Sequence, residues 1–129
     1  MARGAEVLAT DHYAPALDFT AQNARINTGR EPETALLDWH APEVSGLGDF
    51  DLVLAADVLY ERRNAPALTT LIPSLLAPDG EAVLADPRRK DVPDFLESMV
   101  ERGFRVSTES VTVEQGGRGI EVLLHRLRI

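Results

Sequence analysis

Asp57 and Tyr60 are the side chains whose types and placement most invite chemistry. They close the stretch FDLVLAADVLY, residues 50–60, in which Phe50, Leu52, Val53, Leu54 and Ala55 are apolar. That run is too short for a helix and is bounded by Gly48-Asp49, so it reads as a strand buried on both faces. It stops at Ala56-Asp57, and a carboxylate, a phenol and the charged pair Glu61-Arg62 arrive at once. A buried strand that delivers polar groups at its carboxyl end is how open α/β sheets build a site. Two further apolar stretches also end in polar groups: Val7 to Thr10 closes on Asp11, and ALLDW, residues 35–39, carries Asp38 and Trp39.

The elements that must hold these groups follow from periodicity. A helix is predicted over Tyr13 to Asn27, where Leu17, Ala21 and Ala24 form an apolar stripe flanked by Phe19 and Ile26. Asp11 stands at the cap position, Pro15 is tolerated in the first turn, and Asn27-Thr28-Gly29 is a stop. A loop over Pro42 to Asp49 leads into the Phe50–Ala56 strand. Leu68, Leu71, Ile72, Leu75 and Leu76 then predict a helix from Asn64 or Pro66 to Ala77, kinked at Pro73. Pro78-Asp79-Gly80 reads as a tight turn, and Ala82 to Ala85 as a strand ending in Asp86-Pro87. Asp91 is placed to cap a helix over Val92 to Arg102, closed by Gly103. The strands Phe104–Val113 and Ile120–Leu127 flank a glycine-rich hairpin turn. The order β-α-β-β-α-β-α-β-β describes an α/β fold with a mostly parallel sheet, helices on both faces and a C-terminal antiparallel hairpin.

Composition narrows the function classes. The 129 residues suit one domain, with 44% hydrophobic and 26% charged residues. Thirteen Lys and Arg against 21 Asp and Glu give a net charge of −8, a poor endowment for gripping a nucleic-acid backbone or an anionic membrane. There is no cysteine, so disulfides, thiolate nucleophiles and cysteine-ligated zinc are excluded. His12, His40 and His125 are too scattered for metal-ligand spacing. No segment approaches the roughly 20 apolar residues of a membrane span, and Met1 to Thr10 is no signal peptide, so a cytoplasmic location is expected.

The motifs, in their order and spacing, resemble the class I, seven-strand S-adenosylmethionine-dependent methyltransferases. VLATD (7–11) resembles that family's second strand with its closing acid, LDW (37–39) its third strand, and LLAPDGEAVLAD (75–86) its fifth. AADVLY (55–60) resembles the Asp-x-x-Tyr motif after strand four, which points to the branch of lysine and nicotinamide-like methyltransferases. The resemblance implies that Asp11 binds the cofactor ribose, that Asp38 and Trp39 border its adenine, and that Ala56 lies by the sulfonium. It makes Asp57 and Tyr60 the catalytic pair: Asp57 holds an incoming amine in line with the methyl group, and Tyr60 offers a π face to cations. A lysine amine, with a pKa near ~10.4, must first lose a proton, to Asp57 or to water.

Each residue has a plainer reading. Asp11 and Asp57 would cap the helices that follow, Trp39 and Tyr60 would be core-edge aromatics, and Asp38 a solvated neighbour. Asp86-Pro87-Arg88-Arg89-Lys90 ends the next strand on the same edge and would be either a substrate mouth or a solvated basic loop. The family's first strand and the glycine turn after it have no counterpart here, which implies an N-terminally truncated methyltransferase domain, or a second copy completing the sheet. Little or no cofactor binding by this chain is expected in consequence. The functions in play are therefore methyl transfer to a protein lysine or a small amine, a non-catalytic methyltransferase-like domain, and a phospho-receiver domain with Asp57 as acceptor. The terminal hairpin and the lack of an amino-terminal acidic pair count against the receiver.

Overall fold

The elements follow in the expected order. In the computed structural model, which describes Met1 and residues 3–129, they are β1 (Leu8–Asp11), α1 (Ala14–Thr28), β2 (Glu33–Leu36), β3 (Phe50–Ala56), α2 (Asn64–Leu75), β4 (Leu76–Asp86), α3 (Val92–Glu101), β5 (Arg105–Gln115) and β6 (Arg118–Arg128). They divide into two compact units, residues 1–43 and 44–129.

In the first unit β1 and β2 run parallel, with Asp11 in register with Leu36. The crossover between them is α1, which has Pro15 in its first turn and ends at Gly29. Gly29 takes φ 73°, and its N–H reaches the Arg25 carbonyl at 2.9 Å, a left-handed closure that glycine adopts without a Cβ clash. Of the predicted stripe Leu17 is buried and Ala21 and Ala24 are half-buried, while the flanking Phe19 and Ile26 are exposed.

The second unit holds a four-stranded sheet in the order β3-β4-β6-β5. β3 and β4 are parallel; β6 is antiparallel to both β4 and β5. The helices α2 and α3 pack against each other, and the core lies between them and one face of the sheet. Leu68, Leu71 and Ile72 of α2, Phe95 and Met99 of α3, Ala82 and Leu84 of β4, and Leu127 of β6 are all buried there. The alternation along β4, with Ala82, Leu84 and Asp86 buried and Glu81, Val83 and Ala85 half-buried, is the period of two expected when one face is covered.

Three sequence expectations need correction. β3 is not buried on both faces. Among the described residues it pairs only with β4, and Leu52 and Leu54 register with Glu81 and Val83 on the face away from the helices, where they are 47% and 71% exposed. Pro78-Asp79-Gly80 is not a free turn before a short strand, because β4 begins at Leu76 and absorbs it. Phe50 pairs with Leu76 and Leu52 with Glu81, so β4 takes five residues where β3 takes two, a large bulge. Asp91 precedes α3 but makes no side-chain cap hydrogen bond, its backbone being already helical at φ −88° and ψ −1°.

The hairpin is as expected and longer. Gly116 and Gly117, at φ 59° and 76°, form the two-residue turn whose twist suits the flanking strands. β4 accompanies β6 only between Arg128 and Leu123, so residues 118–122 and their β5 partners run on as a two-stranded ribbon past the carboxyl end of β4.

Candidate functional site

β3 and β4 are parallel and end together, with Ala56 opposite Ala85, so the residues that follow share one rim of the second unit. Asp57 leaves the strand in the left-handed region at φ 50°, its N–H bonded to the Ala85 carbonyl at 2.8 Å. For a residue other than glycine this is a costly conformation, of the kind held at functional sites by surrounding structure. The loop to Tyr60 is pinned from below. Leu59 is buried at 4% exposure, and Asn64, at the start of α2, donates its side-chain N–H to the Val58 carbonyl at 2.9 Å. Tyr60 is 52% exposed, so it is not a core aromatic. Asp57 makes no cap for α2, whose N-cap is Arg63.

The carboxylate of Asp57 is engaged from across the rim. Arg89 donates through Nε to Oδ1 at 2.8 Å and through a terminal nitrogen to Oδ2 at 2.9 Å, a two-pronged pair between half-exposed side chains. Those hydrogen bonds hold the Asp57 carboxyl below its ordinary range, against a smaller opposing effect of desolvation. Asp57 is thus an anion at neutral pH and a weak proton acceptor. The loop bearing Arg89 is organised by Asp86, buried at 3% exposure at the end of β4, whose carboxylate accepts the N–H groups of Arg88 and Arg89. Arg88 takes φ 70° and pairs with Glu121 on the ribbon, which also accepts the Ser110 hydroxyl at 2.9 Å.

In the first unit Asp11 and the segment after β2 share the carboxyl edge of the two-stranded sheet. Asp11 Oδ1 accepts the Tyr13 N–H at 3.0 Å and lies 3.4 Å from His12 Nδ1. The helix cap itself is Tyr13, so Asp11 shapes the approach to α1 rather than capping it. Asp38 makes a similar local turn, accepting the His40 N–H at 2.9 Å, beside a half-buried Trp39. Asp11, Asp38 and Trp39 thus gather on one unit, and Ala56, Asp57 and Tyr60 on the other.

Sequence reasoning placed Arg89 in a basic run on the same edge and Asn64 at the start of a helix, but foresaw the bonds of neither. Arg89 lies 32 positions from its partner, inside a basic run with nothing to single it out. Asn64 carried the hint of a polar residue at the head of an apolar helix. Among the described residues no group of three or more His, Cys, Asp or Glu side chains is placed to hold a metal ion. No helix among them is long and apolar enough to cross a membrane.

The fold has known counterparts. Precorrin-6y C5,15-methyltransferase from Geobacter metallireducens GS-15 superposes with a TM-score of 0.67 at 17% identity, over 98% of this chain and 70% of that one. Magnesium protoporphyrin IX methyltransferase from Synechocystis PCC 6803, solved with bound S-adenosylmethionine, gives 0.70 at 18% identity, over 98% and 61%. The N-methyltransferase NodS from Bradyrhizobium japonicum WM9, in complex with S-adenosyl-L-homocysteine, gives 0.68 at 18% identity, over 94% and 65%. The chain spans 61% to 70% of the length of these three. At such identities the likeness is one of fold, the Rossmann-like class I methyltransferase fold. No curated protein sequence matches the chain. A family model described as lysine methyltransferase matches residues 1–102. With most of its length inside that match, the chain belongs to the lysine methyltransferase family.

Proposed function

We propose that this chain works in S-adenosylmethionine-dependent N-methylation, with an amine as acceptor and the side chain of a protein lysine as the first choice. The observation that carries the reading is the placement of Asp57: an exposed, ionised carboxylate thrown out of the end of β3 by a left-handed backbone, next to the small Ala56. Family membership supports it. A small-molecule amine is the alternative acceptor.

The residues present fit one end of the cofactor. Asp11 has a second carboxylate oxygen with no hydrogen bond among the described residues, which suits a ribose diol, and Asp38 and Trp39 of the same unit would border the adenine. When bound, S-adenosylmethionine would supply an electrophilic methyl group. Among the described residues the glycines with positive φ lie ahead of strands, at Gly4, Gly29, Gly46, Gly48 and Gly103, or at the hairpin tip, at Gly116-Gly117, and none directly follows β1 or β3 to cradle the methionine end. Affinity for the cofactor is accordingly expected to be weak. Asp57 would hold the acceptor cation in line, and Tyr60 would flank it with its ring face. An aspartate carboxylate is too weak a base for an alkylammonium, so Asp57 orients the amine and does not deprotonate it; the proton leaves to water.

The test is methyl transfer from tritiated S-adenosylmethionine, at millimolar donor, to poly-L-lysine. Transfer is expected in the wild-type chain and a loss of at least about tenfold in Asp57→Asn, since an ionic hydrogen bond contributes roughly 1.5–3 kcal/mol. Calorimetry should show donor affinity unchanged. Absent transfer in the wild type, or equal transfer in the variant, would refute the assignment.

A further inference from the structure

We propose that Arg89 is a positioning residue that occupies the amine seat on Asp57 until an acceptor cation replaces it. The inference rests on the proposed role of Asp57 and adds the residue that controls access to it. Both oxygens of Asp57 are engaged by one guanidinium, at 2.8 and 2.9 Å, so no second cation reaches the carboxylate with the same geometry while Arg89 is seated. The arrangement is built. Among the described residues only two other than glycine take positive φ: Asp57 itself, at 50°, and Arg88, at 70°, immediately before Arg89. One turns the carboxylate out of β3, and the other follows directly on the strand end of β4. Buried Asp86 fixes the intervening loop through the N–H groups of both arginines, and Arg88 is tied to Glu121 on the ribbon. Arg89 alone is free to swing without the loop losing its anchors.

The pair is also weak enough to exchange. The side chains are 44% and 46% exposed, and an ion pair open to water contributes little net stability. A cation on a flexible stem can displace one that is half-solvated, whereas a fully buried pair would resist. Arg89 therefore acts as a placeholder. It holds the Asp57 carboxylate outward-facing when the site is empty, and it makes the site exclude cations that cannot offer a comparable contact.

The experiment uses n-butylammonium, the analogue of a lysine side-chain head, and follows the Asp57 carboxyl carbon by NMR in the wild-type chain, Arg89→Gln and Arg89→Lys. In Arg89→Gln the Asp57 titration should move up towards its ordinary value of 3.8. n-Butylammonium should then bind about threefold to fivefold more tightly than to wild type, the change that removing a competing exposed ion pair allows. Arg89→Lys should fall between the two, because an ammonium gives a point contact in place of a fork. Equal or weaker binding in Arg89→Gln would overturn the proposal. No methyl donor is in the tube, so the two readings fail separately. Unchanged binding alongside intact transfer by the wild type removes the placeholder role alone. Tighter binding alongside no transfer to any amine keeps the exchange and removes the methyltransferase assignment.

Discussion

Replacing Gly80 by alanine tests the least expected feature of the sheet. A Cβ at this position would stand 2.7 Å from the Phe50 carbonyl oxygen, 3.1 Å from that of Ala77 and 3.2 Å from the Ala77 nitrogen. All three neighbours are backbone, so no side chain can turn aside. Relief requires the bulge in β4 and the first residue of β3 to separate by roughly 0.7 Å to regain ordinary contact. Overpacking of this kind costs typically 1–3 kcal/mol. Alanine also stiffens the unfolded chain, which returns about 0.4–1 kcal/mol. The expected net loss is therefore about 1–2 kcal/mol, or a fall in Tm of roughly 5–15 °C for a unit of this size. Urea unfolding followed by circular dichroism measures it, and the midpoint should fall with the slope unchanged. A loss below about 0.5 kcal/mol would show that the bulge does not press β4 against Phe50, and the register described for these strands would be wrong.

Other outcomes follow from the same structure. Phe95→Ala empties a site only 1% exposed between α3 and the sheet, and should cost about 3–5 kcal/mol in the same assay. His125 is buried, bonded through Nδ1 to Thr108 at 2.8 Å, with its Nε2 unpartnered among the described residues. Burial lowers its pKa below the ordinary 6.5, and the Asp86 charge opposes this only in part. Between the two values the unfolded chain binds the proton and the folded chain does not, so stability should fall as pH drops below about 6.5. His125→Gln should remove that dependence, and the same slope in both proteins would refute it.

The order of elements was legible because each helix shows its own apolar period and β1, β3, β4 and β5 stop at glycine, proline or a carboxylate. The glycine pair at 116–117 announced its hairpin without any tertiary information. What escaped the sequence were features made by neighbours. FDLVLAA reads as doubly buried, yet β3 is an edge strand with helices on one face only, and Leu52 and Leu54 show on the other. Pro78-Asp79-Gly80 has turn chemistry, yet it is taken up as an unpaired bulge between the Phe50–Leu76 and Leu52–Glu81 pairs. The rim was foreseen through Asp57, since strand ends are local. Its partner was legible only as one member of a basic run on the same edge, because nothing in the sequence singles out Arg89 from Arg88 and Lys90.

The outer half of the β5–β6 hairpin is a cantilever. From Arg118 to Val122 its backbone bonds are shared, among the described residues, between β5 and β6 alone. A ribbon so supported can peel from its tip while the four-stranded part stays closed. Peeling would withdraw Glu121 from Arg88 and from the Ser110 hydroxyl, so the stiffness of the loop that presents Arg89 is set by how firmly a distant glycine turn stays shut.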